Sequence, residues 1–248
     1  MTNSRDTKLF DTGHTSRWTQ QPYTITALFM ALTLQDFGGL AEAATFSSPS
    51  IKHHSPHGLE EQCIILDRMP GGVYSDADRK LEQAFCTIDF YDGSHALCPK
   101  VFSTSPGTLV YDLSRGEYAG DTEAFEAEQC ASRSPVKRGA PGEPVSWKMT
   151  MNDAHTSATF STAALLYYHF SRYLNTDVNV PVSVYRSMDK EEHLARVTRR
   201  GVELSAHRKG GAMNHAGWEV LQKAEKNPST YRATDELFTQ DRKQVYGV

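Results

Sequence analysis

The chain has 248 residues, of which 39% are hydrophobic and 23% are charged, a composition typical of a globular protein. Its length is sufficient for one folded domain with a substantial core. The formal net charge of −4 argues against a general electrostatic attraction to nucleic acid or to an anionic membrane surface.

Residues 1–43 have the layout of a secretory signal peptide. A polar leader with basic residues precedes an apolar run from Ile25 to Leu34, and small residues precede a cleavage point after Ala43. The apolar run is too short to span a bilayer comfortably. We therefore expect a periplasmic or secreted protein whose mature chain has no membrane span. The alternative is that this run forms a buried helix of the folded domain.

All four cysteines follow the predicted cleavage point: Cys63, Cys86, Cys98 and Cys130. An even number of cysteines in an exported chain indicates two disulfides, although four cysteines allow three pairings and the sequence does not choose among them. The alternative is four reduced thiols in a cytosolic protein. A zinc site is disfavoured because no C-x-x-C pair occurs.

Residues 44–62 are rich in Ser, Pro and His, and this composition predicts a flexible linker ahead of a folded domain at 63–248. We assign no role to the histidine cluster at 53–57, since surface histidines are common. The chain ends at Val248 in an apolar, strand-like run. That ending is typical either of a C-terminal strand or of a longer protein in which 63–248 is the N-terminal part.

Apolar periodicity and turn residues predict alternating strands and helices. The first half contains, in order, a predicted strand at 63–66, a helix at 75–85, a strand at 86–91, a hairpin of 97–103 with 108–114, and a helix at 122–129. The second half contains a strand at 145–151, a long helix at 157–174, a strand at 180–186, helices at 188–200 and 218–226, a turn at 235–238 and a strand at 243–248. This order predicts an α+β fold, with one long helix packed on an antiparallel sheet and additional helices in the C-terminal third.

The stretch from Val145 to Arg186 contains the first candidate binding residue, Lys148, which lies among apolar residues of a predicted strand. A lysine beside a packed helix is a candidate anion clamp. Three-and-four spacing on the following helix predicts one buried face, composed of Phe160, Ala163, Ala164, Tyr167, Phe170 or Ser171, and Leu174. The small-residue turn of the preceding hairpin, 104–107, has hydroxyl and backbone N–H groups that can approach a phosphate. An ordinary Pro-Gly turn explains the same residues.

Five arginines could add to a positive cleft around Lys148: Arg172, Arg186, Arg196, Arg199 and Arg200. The alternative, which we favour at this point, is a set of exposed arginines balanced by Asp189, Glu191 and Glu192.

The run from Ala163 to Arg186 resembles the passage from the N-lobe helix to the following strand in the secretory-pathway atypical kinases, the Four-jointed and Golgi casein kinase group. The positions that carry the resemblance are Ala163, Ala164, His169, Arg172, Leu174, Val180 and Pro181. The resemblance implies a kinase N-lobe-like fold that binds ATP with Mg²⁺. It also implies that Lys148 pairs with the nucleotide phosphates and that Thr104, Ser105, Gly107 and Thr108 lie over them.

The chain departs from the kinase pattern at several points. No Glu or Asp occurs between Ser157 and Leu174, the hairpin turn has one glycine, and neither H-R-D nor D-F-G is present. No catalytic residue is therefore assigned.

The sequence supports two hypotheses about function. The first is an exported kinase-like domain that binds a nucleotide phosphate through Lys148 and whose catalytic lobe lies outside this chain. The second is a secreted, disulfide-bonded binding or accessory protein without catalytic activity.

Overall fold

The computed structural model describes residues 50–103, 105–132, 134–152, 162–207 and 211–248. The predicted signal peptide, Thr104 and the beginning of the predicted long helix, including Phe160, lie outside the described residues. The fold is α+β, as predicted, and its strands form two antiparallel sheets where one was predicted.

The first sheet has four antiparallel strands in the order β1-β2-β6-β7. These strands are β1 (Ser50–His54), β2 (Glu60–Ile64), β6 (Tyr185–Asp189) and β7 (Gln244–Gly247). The linker predicted at 44–62 therefore contains a β-hairpin from residue 50 onward. Its first strand, β1, lies at the sheet edge and has no fully buried residue. Such an exposed strand can have the polar composition of a loop, which is why its sequence predicted a linker.

The second sheet has three antiparallel strands in the order β3-β4-β5. They are β3 (His95–Pro99), β4 (Thr108–Asp112) and β5 (Val145–Trp147), so the predicted hairpin is confirmed with a longer connection. The last strand of the chain joins the two sheets. Met149 forms a β-bridge with Gly247, and Lys148 and Val248 exchange two backbone hydrogen bonds of 2.8 Å.

Two disulfides connect helices to strands, which confirms the predicted number and selects one of the three pairings. Cys86 on α1 (Asp76–Thr87) is bonded to Cys63 on β2. Cys130, which caps α2 (Thr122–Gln129), is bonded to Cys98 on β3.

The prediction of a strand at 86–91 is wrong, because α1 continues to Thr87 and the chain then turns to bury Phe90 against Trp147.

The buried face of α3 (Ala163–Tyr173) is not the predicted one. Leu165, Tyr168, His169 and Ser171 are buried, and of these only Ser171 was among the predicted positions. Five large apolar side chains in the helix or directly after it are exposed: Leu166, Tyr167, Phe170, Tyr173 and Leu174. The buried polar groups have partners on the α1 side. The Tyr168 hydroxyl donates to Glu82 at 2.6 Å, and His169 Nδ1 lies 2.7 Å from the Tyr74 hydroxyl. A count of apolar positions alone thus selects the wrong side of this helix.

The C-terminal third supplies the predicted additional helices. Helix α4 (Lys190–His193) continues through a π-helical turn (Leu194–Thr198) into α5 (Arg199–Ala206), and α6 (Ala212–Lys226) and α7 (Thr234–Leu237) follow. Asn227-Pro228 ends α6, as predicted. The main core packs Trp218 and Leu221 of α6 against Met188 of β6 and Trp147 of β5. None of the helices in the described ranges is long and apolar enough to cross a membrane.

Candidate binding site

A cavity of about 610 Å³ lies where β5, the end of α1, the start of α3 and the segment 180–184 meet. Its walls are mostly apolar and include Ile88, Phe90, Trp147 and Val182. The volume falls within the range of small-molecule sites, which are typically apolar clefts with a few placed polar groups. The cavity is therefore the candidate binding site.

Three charged side chains line the cavity: Glu143, Lys148 and Arg186. Glu143 is exposed, and Lys148 is partly buried directly after β5, whereas Arg186 on β6 is only 3% exposed. The positive charges therefore lie deeper in the protein than the negative one.

The Arg186 guanidinium is held along one side only. Its Nη1 donates to the carbonyl of Ile88 at 2.6 Å, and its carbon lies 3.7 Å from the centre of the Phe90 ring. Among the described residues, no acceptor forms a hydrogen bond with Nε or Nη2 of Arg186. Burial lowers the pKa of Arg186 to about 10, so the group remains a cation at neutral pH.

Glu61 is the acid that faces Arg186 from the neighbouring strand. Because Cys63 is paired with Arg186 in the sheet, Glu61 lies two residues along β2 on the same face. The Asp189 N–H donates to Glu61 Oε1 at 2.6 Å, and the Tyr91 hydroxyl donates to the same oxygen. Burial raises the pKa of Glu61 to about 7, whereas the Arg186 charge acts to lower it.

The structure brings together two of the predicted site residues. Lys148 lines the cavity, and a Cβ placed on Gly107 would lie 3.5 Å from Lys148 Cγ and 4.0 Å from Lys100 Cβ. Burial, and secondarily the charge of Lys148, lower the pKa of Lys100. Two lysines therefore flank the glycine of the predicted phosphate-binding turn.

The other predicted turn residues have different environments. Ser105 and Thr108 are buried and do not line the cavity, and the Thr108 hydroxyl lies 3.4 Å from His193 Nε2. Pro106 packs closely against Gly217 of α6. This part of the turn therefore packs on the helical side of the protein.

The positions that carry the kinase resemblance separate into two groups. Ala164, Val180 and Pro181 line the cavity together with Lys148. His169 and Arg172 instead face α1, where Arg172 forms a two-pronged ion pair with Asp78.

Of the five candidate arginines, only Arg186 lines the cavity. Arg172 is paired with Asp78 and Arg196 with Glu126, so neither is balanced by the acids that the sequence suggested. The sequence signal that distinguishes Arg186 is its position at the end of the mostly apolar run that begins at Val180, because a cation that is buried there without a partner is costly.

A second polar cluster lies beneath the hairpin and is fully buried. His193 Nδ1 lies 2.5 Å from Glu225 Oε1, and the Thr108 hydroxyl approaches the other ring nitrogen. The contacts run from a hydroxyl to an imidazole and from the imidazole to a carboxylate, which is the arrangement of a hydrolytic triad. All three side chains are fully buried, so a substrate has no access and the cluster acts as a polar part of the core.

No three His, Cys, Asp or Glu residues within the described ranges are grouped so that they could hold a metal ion. Comparison of the chain with protein-family models, with curated proteins and with solved structures finds no match.

Proposed function

We propose that this chain is the ligand-binding domain of an exported protein and that it binds a small molecule with an apolar or aromatic body. The observation that carries the proposal is the 610 Å³ cavity with mostly apolar walls and two cationic side chains. Two disulfides support the exported part of the proposal, since such bonds persist in oxidising compartments.

The test uses N-phenyl-1-naphthylamine, an uncharged aromatic fluorophore that becomes brighter in apolar surroundings. We expect saturable binding to the full chain produced in an oxidising compartment. The Ala164→Trp variant should weaken binding about tenfold or more, because the new ring would fill cavity volume that the probe needs. The matched control is Ala163→Trp, since Ala163 lies in the same helical turn but does not line the cavity. Absence of saturable binding by the folded protein, or equal losses in both variants, would contradict the proposal.

The second candidate is the kinase-like domain that binds a nucleotide. It is favoured by the convergence of Lys148, Ala164, Val180 and Pro181 on one cavity and by the two lysines that flank Gly107. In this arrangement the apolar walls hold the base and the lysines face the phosphates. Mg²⁺ would enter as the MgATP complex, and phosphoryl transfer would require a catalytic lobe or partner that supplies the metal-binding carboxylates.

Titration with ATP, with and without Mg²⁺, tests this second candidate. We expect ATP to displace the fluorophore and the Lys148→Ala variant to weaken ATP binding about tenfold, because a charge-assisted contact to phosphate is lost. Lys80→Ala is the control, since Lys80 is exposed on α1 and does not line the cavity. Fluorophore binding that ATP does not displace would favour the first candidate over the nucleotide.

A further inference from the structure

We propose that Arg186 is the receptor for an anionic group on the ligand and that the ligand is a carboxylate with an apolar alkyl or aryl body. This inference rests on the proposed function, because it names the chemical class that the same cavity would bind. It differs from the sequence-based hypothesis in assigning the anion to a buried strand arginine.

The unpaired edge of Arg186 has the geometry of a carboxylate site. Nε and Nη2 lie on one edge of the guanidinium, and both are buried without an acceptor among the described residues. The same edge of Arg172 binds a carboxylate within this protein, since its Nε and Nη2 donate to the two oxygens of Asp78 at 3.1 and 2.7 Å. Parallel N–H···O bonds of this kind are among the strongest that arginine forms.

The surroundings of Arg186 fix its guanidinium and leave this edge without a partner. Its Nη1 is held by the carbonyls of Ile88 and Phe85, which fixes the plane of the guanidinium, and the Phe90 ring covers one face. Buried donors without partners are rare in proteins because each costs the desolvation free energy of an unmade hydrogen bond. A carboxylate head group that reaches this edge from the cavity would satisfy both donors.

The nearby acids favour a singly charged head group. Asp89 and the ionised form of Glu61 act on Arg186 through space, and the sheet places Glu61 on the same face. Their negative potential would oppose a dianion such as a phosphate monoester more strongly than a monoanion. The apolar cavity walls accommodate the remainder of the molecule.

The first experiment needs no variant. Decanoate and decanol have the same alkyl chain and differ in the head group, so each is used to displace N-phenyl-1-naphthylamine from the wild-type chain at pH 7. We expect decanoate to displace the fluorophore at concentrations about tenfold or more below those of decanol, which corresponds to one charge-assisted pair of hydrogen bonds. If both displace it equally, Arg186 does not bind an anion and the inference is overturned.

The second experiment assigns the preference to a residue. Arg186→Gln should remove the advantage of decanoate over decanol, with both ligands compared in the same variant, whereas Lys148→Gln should retain that advantage. The reverse pattern would overturn the inference and assign the anion to Lys148. Circular dichroism verifies that each variant is folded. If Arg186→Gln does not fold, Lys148→Gln decides: an advantage of decanoate that persists in this variant supports Arg186, and an advantage that is lost overturns the inference. A chain that does not bind the fluorophore at all contradicts the proposed function itself, which is a different outcome.

Discussion

Glu61 is a fully buried carboxyl group that should make the stability of the protein depend on pH. Burial raises its pKa from 4.5 to about 7, so the folded state favours the protonated form. The resulting stabilisation is complete below pH 4.5 and is lost as the pH rises through about 7. The free energy of unfolding should therefore fall by about 1.4 kcal/mol per pH unit in this window, relative to a Glu61→Gln variant.

Urea denaturation between pH 4.5 and 8 measures this difference. Glu61→Gln should be as stable as the wild type at low pH and more stable above pH 7, because glutamine resembles the protonated acid. The control is Glu60→Gln, since Glu60 on the same strand is exposed and is paired with Lys52. Parallel stability curves for the wild type and Glu61→Gln would show that the acid has an ordinary pKa.

The ion pair between Arg172 and Asp78 fixes α3 against α1 at the residue scale. Its side chains are only 19% and 8% exposed, and the Arg172 charge, through its hydrogen bonds, lowers the pKa of Asp78 to about 2. Arg172→Ala should reduce the free energy of unfolding by about 3 kcal/mol, because the remaining carboxylate is partly buried without its partner.

A matched control for this loss is Arg138→Ala. Arg138 also contacts a carboxylate through two nitrogens, on Glu117, but the two side chains are 77% and 52% exposed. That substitution should change the free energy of unfolding by no more than about 0.5 kcal/mol. Similar losses in the two variants, measured by urea denaturation, would mean that burial does not distinguish the pairs.

The two disulfides differ at the scale of elements, although their loops are similar. They join residues 23 and 32 positions apart, so loop entropy predicts a loss of about 3–4 kcal/mol when either one is removed. Only Cys63–Cys86 holds the end of α1, which supplies Phe85 and Ile88 to the cavity wall and to the Arg186 hydrogen bonds. Replacing Cys63 and Cys86 by alanine should therefore lower stability and also weaken fluorophore binding severalfold.

Replacing Cys98 and Cys130 by alanine is the control, because this disulfide connects β3 to the end of α2 and neither cysteine lines the cavity. It should lower the midpoint of urea denaturation by a similar amount and leave the binding constant unchanged. A loss of affinity in this second pair would show that general destabilisation, and not the position of α1, controls binding.

Elements with a strong local signal could be predicted from the sequence. Helix α2 has the predicted bounds because Asp121 caps it and Cys130 ends it, and α1 begins close to its predicted start because Ser75 caps it. The buried face of α3 could not be predicted from apolar periodicity, because its contacts with α1 are polar and involve partners more than eighty residues away along the chain. Lys148 could be identified from the sequence as a candidate binding residue, and it lines the cavity. The unpaired edge of Arg186 could not be predicted, because the orientation of its guanidinium depends on the Ile88 carbonyl, which lies in a segment that was predicted to be a strand.

The assembly of the whole molecule into two sheets depends on pairings between distant segments. Strand β2 pairs with β6, and β7 returns to join β6 and the residues after β5. Local periodicity contains no information on such partners. The cavity arises from this assembly, because β5 belongs to one sheet, Arg186 to the other, and α1 and α3 contribute further walls.

Gly247 lies at the point where the two sheets join, and its substitution tests this architecture. A Cβ at this position would lie 2.5 Å from Trp147 Nε1 and 2.7 Å from the Lys148 carbonyl oxygen, which is closer than side-chain atoms approach in proteins. Because the second of these atoms belongs to the backbone, relief requires the sheets to separate locally. Gly247→Ala should therefore reduce the free energy of unfolding by about 2 kcal/mol or more, and it should weaken fluorophore binding because Trp147 and Val248 line the cavity.

The control is Gly107→Ala, because Gly107 also lies beside Lys148. Its added Cβ would meet Lys148 Cγ at an ordinary contact distance of 3.5 Å. We expect a change of no more than about 0.5 kcal/mol in urea denaturation, since no atom has to move. Equal tolerance of the two substitutions would contradict the close approach of β7 to Trp147. A large loss at Gly247 alone would show that the C-terminal strand holds the two sheets, and with them the cavity, in one arrangement.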